Sequence, residues 1–164
     1  IKPAALQSKT KSIGILATKG TLNSELFSLT TEEFTKDITV TEIVGEGLVP
    51  LIEKGSLYSP EILNLLKQFT KPMLENNIDR LVLGCSHYPY LIPQLAKLLP
   101  NNIKIIDSGE AVAKQTKSIL LENNLLREAS NQPIIQFITN SSDITLKLLL
   151  KGYLEKVDIE KIKF

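Results

Sequence analysis

Gly84-Cys85-Ser86-His87-Tyr88-Pro89 sets a thiol and an imidazole two residues apart, directly after the apolar run Arg80-Leu-Val-Leu-Gly84. A cysteine where a strand gives way to a loop and then a helix meets N–H groups that stabilise negative charge. The same N–H groups can hold a carboxylate. Two chemistries fit. One is nucleophilic attack with the imidazole as base. The other is proton transfer at carbon, with the thiol as acid or base. Racemisation without a cofactor takes a proton from one face of a carbon and returns one to the opposite face. A chain with a single cysteine would hold half of such a site. An inert buried thiol beside a structural histidine suits the same segment equally well.

Other polar residues are weaker signals. Thr18-Lys-Gly-Thr21 offers two hydroxyls beside a glycine after an apolar run. That could bind a small carboxylate, but an N-cap and turn is the commoner use. Neither GxxxxGK[ST] nor GxGxxG occurs, so no phosphate-binding glycine loop is expected. Glu53, late in a short helical stretch, reads as an exposed helix acid. Asp107-Ser-Gly-Glu110 reads as a helix cap.

Composition narrows the classes. The chain has 164 residues, 43% hydrophobic and 23% charged, with net charge +1. One cysteine excludes an internal disulfide, and one histidine excludes a His-rich zinc centre. No metal site is expected. Near-zero net charge argues against nucleic-acid binding. No run reaches the ~18 apolar residues of a membrane span. Lys2-Pro-Ala-Ala5 followed by the polar Gln7–Ser12 stretch is not a secretory signal. A free cysteine without a targeting segment favours a reducing cytoplasm. The chain begins with Ile1, not Met, which suggests a processed or truncated piece of something longer.

The elements that would position these groups alternate in type. Ile13–Ala17, Ile38–Val44, Arg80–Gly84, Lys104–Asp107 and Pro133–Thr139 read as strands. Helices are expected over Ser24–Leu29, Leu48–Lys54, from Ser59 with Pro60 at its first position, and from Pro93 to Leu99. Ile62, Leu65, Leu66, Phe69 and Met73 give the third of these an apolar stripe of helical period. Pro72 should kink or break it. Asp107 or Ser108 should cap a helix with Val112, Ile119 and Leu120 on its apolar side. Ser141 or Ser142 should cap Ile144–Gly152, and Val157–Phe164 alternates like an edge strand. The pattern implies an α/β fold with a doubly wound, mostly parallel sheet. Ligands of such sheets sit at the carboxyl ends of the strands. Thr18–Thr21, Cys85–His87 and Asp107–Glu110 would all lie there.

Several segments together resemble glutamate racemase, of the aspartate/glutamate racemase superfamily. Gly84-Cys-Ser-His-Tyr-Pro89 resembles that family's second-cysteine motif, with Ser86 where Thr is usual. Ile13-Gly-Ile-Leu-Ala-Thr18 with Thr21, Val49-Pro-Leu-Ile-Glu53 and Ile106-Asp-Ser-Gly-Glu-Ala-Val112 resemble family segments in the same order. The histidine after the cysteine favours glutamate over aspartate racemase. The resemblance implies an isomerase that interconverts L- and D-glutamate without a cofactor, supplying D-glutamate for peptidoglycan and hence for the cell wall and cell shape. It implies catalytic roles for Cys85 and His87, supporting catalysis for Glu53, and substrate binding for Thr18, Thr21 and Ser86.

The family folds as two α/β lobes around a cleft. On that plan residues 11–106 are the second lobe and 107–164 return to pack on the first lobe. Residues 1–10 are the linker from the first lobe. The family's N-terminal Asp-Ser-Gly loop and its Cys-Asn-Thr motif have no counterpart here. The expected partners are therefore glutamate, the missing N-terminal lobe and, as often in the family, a second copy in a homodimer. The piece alone should be inactive and should expose apolar surface. The alternatives are a cysteine hydrolase or amidase using Cys85 and His87, and a non-catalytic binding module.

Overall fold

A computed structural model of the chain describes residues 1–127, 135–140, 142–150 and 158–163. Its centre is β1 (Ser12–Ala17), every residue of which is buried. β1 pairs in parallel with β2 (Thr39–Val44) on one side and β3 (Arg80–Gly84) on the other, and β3 pairs in parallel with β4 (Lys104–Ile106). The order is β2-β1-β3-β4. Ala17 lies opposite both Val44 and Gly84, so three strands end level with one another.

Alternation along β1 feeds two apolar layers. Ile13, Ile15 and Ala17 join Ala4 and Val82 on one face. Leu16 joins Leu48, Ile52, Ile62, Leu66, Met73 and Leu81 in a larger cluster. A central parallel strand covered on both faces is the state that a continuous apolar run favours. The helices divide accordingly. α1 (Lys2–Gln7) brings Ala4, and α3 (Glu25–Phe34) brings Phe27, to the smaller cluster. The short α2 (Lys19–Leu22) connects β1 to α3. α4 (Leu48–Glu53), α5 (Pro60–Glu75) and α6 (Ile92–Leu98) supply the larger cluster, helped by a 3₁₀ turn at Tyr88–Leu91. The chain leaves β1 toward β2 and leaves β3 toward β4, in opposite directions. A crevice opens where such directions diverge, here between the carboxyl ends of β1 and β3.

Most expected elements form. α5 starts as anticipated, with the Ser59 hydroxyl accepting from the Ile62 N–H at 3.3 Å and Pro60 following. It does not end at Pro72, and runs on to Glu75. Burial of Met73 in the main cluster outweighs the loss of one helix hydrogen bond. α1 falls where only a linker was expected, although Pro3 in its first turn is a favourable helix start.

The C-terminal segment is less deeply packed. α7 (Gly109–Glu122) buries none of its residues, and Val112 is 60% and Ile119 46% exposed. This is the exposed apolar surface the sequence led us to expect. β5 (Gln136–Thr139) and β6 (Asp158–Lys161) pair in parallel with each other, outside the four-stranded sheet. α8 (Ile144–Leu150) meets α4. The Thr145 hydroxyl donates to the Glu53 carbonyl at 3.1 Å, and Leu149 joins the larger cluster. Pro133, Ser141, Gly152, Val157 and Phe164, which bounded or capped expected elements, lie outside the described residues.

At the amino ends of the strands, buried Asp79 holds the α1–β1 connection. Its carboxylate accepts from the Ser8 hydroxyl at 2.7 Å and the Lys9 N–H at 2.6 Å, and pairs with Arg80 at 3.4 Å. Arg80 Nη2 donates to the Gln7 carbonyl at 2.7 Å. These bonds fix the end of α1, and with it the lie of that helix across the sheet.

Candidate functional site

Three connections deliver side chains to the crevice. The β3 run ends at Gly84, and Cys85, Ser86 and His87 follow before the 3₁₀ turn. Cys85 Sγ lies 3.9 Å from His87 Nδ1, and His87 Nε2 lies 3.1 Å from Glu53 Oε1. An ionised carboxylate only accepts hydrogen bonds, so Nε2 carries the proton in that contact. On a neutral ring Nδ1 is then an acceptor, facing the thiol. The His87 side chain is 30% and that of Glu53 52% exposed, so this line of groups runs from the cysteine out to solvent. A thiol, a base and a group orienting the base form a complete set for moving a proton to or from sulfur.

Thr18 and Thr21 meet as well. Their hydroxyl oxygens are 3.0 Å apart, and the Thr21 hydroxyl donates to the Gly84 carbonyl at 3.0 Å. Thr18 is also the N-cap of α2, accepting from the Thr21 N–H at 3.3 Å. The commoner use of this residue, as a helix cap, is the one seen. Both hydroxyls are engaged internally, so a carboxylate bound here would take over one of these bonds.

A cavity of about 610 Å³ opens beside the cysteine. Thr21, Gly84, Cys85 and Ser86 line it, with Ile1, Pro3 and Phe27 on its apolar side and Asp107 and Ser108 at its rim. Its volume is that of a small-molecule site. His87, Glu53 and Thr18 stand outside this lining. The N-cap of α7 is Ser108, which makes no side-chain cap bond, and Asp107 beside it accepts from the Gly109 N–H at 2.7 Å. Among the described residues, no group of three or more His, Cys, Asp and Glu side chains is arranged to hold a metal ion. No described helix is long and apolar enough to cross a membrane.

Two features escaped the sequence. Glu53 and His87 are 34 residues apart, and no local pattern couples them. Tyr88, fully buried, donates its hydroxyl to the Gly45 carbonyl at 3.0 Å. Burial and the adjacent Cys85 push its phenol up to about 12, so it remains a donor. An aromatic in an apolar setting gave no hint of that bond.

Comparison with known proteins places the chain in a family. Residues 2–116 match the family described as Asp/Glu/Hydantoin racemase. A glutamate racemase of Pseudomonas putida is 39% identical over 158 residues, covering 96% of this chain and 59% of that protein. A glutamate racemase of Pseudomonas syringae pv. tomato is 38% identical over 149 residues, covering 91% and 54%. Among solved structures, a glutamate racemase isoform from Bacillus anthracis superposes with a TM-score of 0.83 at 25% identity, covering 99% of this chain and 61% of that one. The enzyme from Francisella tularensis, solved with D-glutamate, gives 0.77 at 26% identity, covering 93% and 58%. The chain thus spans under two-thirds of the length of these relatives. With the match covering more than half of the chain, and the sheet, crevice and Cys-Ser-His loop in place, this chain belongs to the Asp/Glu/Hydantoin racemase family.

Proposed function

We propose that this chain is the part of a glutamate racemase that supplies one of two opposed acid/base groups. The observation that carries the reading is the line from Cys85 through His87 to Glu53 at the end of β3. In one direction the Cys85 thiolate takes the Cα proton: the S–H bond forms as the Cα–H bond breaks. The electron pair left on carbon accepts a proton from an acid on the opposite face. In the other direction the Cys85 thiol gives its proton to carbon, and the opposite base has removed the first. His87 returns Cys85 to the required protonation state through Nδ1, and the Glu53 carboxylate stabilises the imidazolium formed. Thr18, Thr21 and Ser86 bind the substrate carboxylate. No cofactor takes part.

The opposite-face group belongs to sequence beyond this chain, which covers only 59% of the Pseudomonas putida relative. In this reading residues 11–106 are a second lobe, 1–10 a linker, and 107–164 a segment shared with a first lobe that covers the apolar face of α7. The whole enzyme would work in the cytoplasm, as a homodimer, supplying D-glutamate for peptidoglycan.

Solvent exchange at Cα tests the proposal. The full-length gene product in D₂O should incorporate deuterium into both enantiomers of glutamate, and Cys85→Ala should abolish racemisation in both directions. Normal racemisation by Cys85→Ala would overturn the assignment. So would robust turnover by the purified 164-residue chain. The same groups suit a cysteine nucleophile with its base and orienting acid. An acyl adduct on Cys85, with the Cα proton retained, would favour a hydrolase or amidase instead.

A further inference from the structure

The residue following His87 reaches back to the turn that opens α4. Tyr88 is 0% exposed, and its hydroxyl donates to the Gly45 carbonyl at 3.0 Å. That carbonyl also lies 3.4 Å from the Leu48 N–H, where α4 begins. Gly45 is anchored in turn, its own N–H donating to the Ala17 carbonyl at 2.9 Å. On the loop side, the Tyr88 N–H donates to the Cys85 carbonyl at 3.2 Å. At the far end of α4, Glu53 meets His87 at 3.1 Å. Two consecutive residues, His87 and Tyr88, therefore hold the last residue of α4 and the turn that precedes it.

The close approach needs glycine. A Cβ on residue 45 would collide with the Tyr88 hydroxyl and stand 2.8 Å from its ring carbon Cζ. A purely apolar role for Tyr88 would place its ring in the core and leave its hydroxyl without a required acceptor. Here the hydroxyl lands on the turn that sets where α4 lies.

We propose that Tyr88 is a positioning residue: its hydroxyl, held on the Gly45 carbonyl, fixes α4 against the cysteine loop and so keeps Glu53 on His87 Nε2. The inference rests on the reading of Cys85, His87 and Glu53 as a proton relay. Tyr88 touches neither substrate nor the reacting atoms. Removing its hydroxyl leaves the ring in place, takes one of two donors from the buried Gly45 carbonyl and loosens the turn that leads into α4.

Two measurements on the full-length gene product test this. In steady-state racemisation, Tyr88→Phe should lower kcat roughly tenfold in both directions, with KM for glutamate within about twofold. Combined with Glu53→Gln, it should add little further loss, because it acts through Glu53. Unchanged kcat, or a full multiplicative loss in the double variant, would overturn the proposal. The second readout is the tautomer of His87 at pH 8 by ¹⁵N NMR, its signals assigned by their loss in His87→Asn. The Nε2–H form should dominate in the unsubstituted protein and become mixed in Tyr88→Phe. Gly45→Ala, which keeps the ring but displaces its hydroxyl, should give the same mixed signature. A tautomer unmoved in both variants, with only a lower melting temperature, would mark Tyr88 as structural alone and overturn the proposal. A protein that fails to racemise glutamate yet shows these tautomer shifts would refute the racemase reading and leave the positioning role standing.

Discussion

The Thr21 hydroxyl donates to the Gly84 carbonyl at 3.0 Å, tying the short helix after β1 to the residue before Cys85. This bond closes the crevice floor across the β1–β3 seam. It requires the ends of the two strands to approach closely, and Gly84 is what permits that. A Cβ on Gly84 would stand 2.7 Å from the Ala17 Cβ and 3.5 Å from Thr21 Cγ2.

Gly84→Ala should therefore destabilise the full-length protein by about 1–3 kcal/mol, the usual range for overpacking. Ala17→Gly alone should cost about 0.5–1 kcal/mol as a strand glycine. Together they should cost less than the sum, because the second change removes the atom that the first one meets. Urea unfolding of the four proteins in this cycle measures the coupling. Strictly additive losses would show that these two positions do not press on each other.

Glu53→Gln keeps an oxygen that can accept from His87 Nε2 but removes the charge opposite the imidazolium. A charge-assisted hydrogen bond is worth about twice a neutral one, a difference of roughly 1–2 kcal/mol. Racemisation should fall about tenfold in kcat in both directions, with KM for glutamate little changed. Glutamate titrations with each enantiomer read this directly. A rise in KM alone would make Glu53 a binding group and not a member of the relay.

Asp79 carries a pH prediction. Burial raises its carboxyl, but the Lys9 N–H, the Ser8 hydroxyl, the Thr10 N–H and the Arg80 charge together outweigh that and hold it below its ordinary value. A carboxyl lowered on folding contributes stability above its unfolded pKa of ~3.9, and that contribution is lost as pH falls through the folded value. Asp79→Asn should cost about 3 kcal/mol at pH 7, since it leaves Arg80 buried without its counter-charge. The gap should narrow below about pH 4. Urea midpoints across acid pH decide the matter: a gap that stays constant there would contradict the role given to this carboxylate.

Much of the fold was legible because its signals are local. β1 and β3 are apolar runs bounded by polar or glycine residues, and Ser59-Pro60 announces α5 within one turn. Cys85 and His87 were legible for the same reason: they adjoin each other at a strand end. From its local pattern Glu53 was visible only as a helix acid, and the family resemblance alone gave it a catalytic role. Its contact with His87 depends on how α4 lies, and that is set by Tyr88 and by Thr145 of α8, distant in sequence. Thr18 and Thr21 were ambiguous because a helix cap and a carboxylate site would call on the same hydroxyl oxygens. Pro72 does not break α5 for a physical reason: a missing N–H is a local cost, while the burial of Met73 is a tertiary gain. α7 read as amphipathic, yet Val112 and Ile119 stay exposed among the described residues.

Cys85 lines the cavity and also reaches His87, which does not line it. The sulfur thus stands between an open cavity and a half-exposed imidazole–carboxylate pair. A hydrogen stripped from a substrate on the cavity side has a short exit, through nitrogen to the water around Glu53. There it can mix with solvent protons. A site arranged in this way keeps no memory of the hydrogen it removed. Each passage across this face should write the isotope of the surrounding water onto carbon.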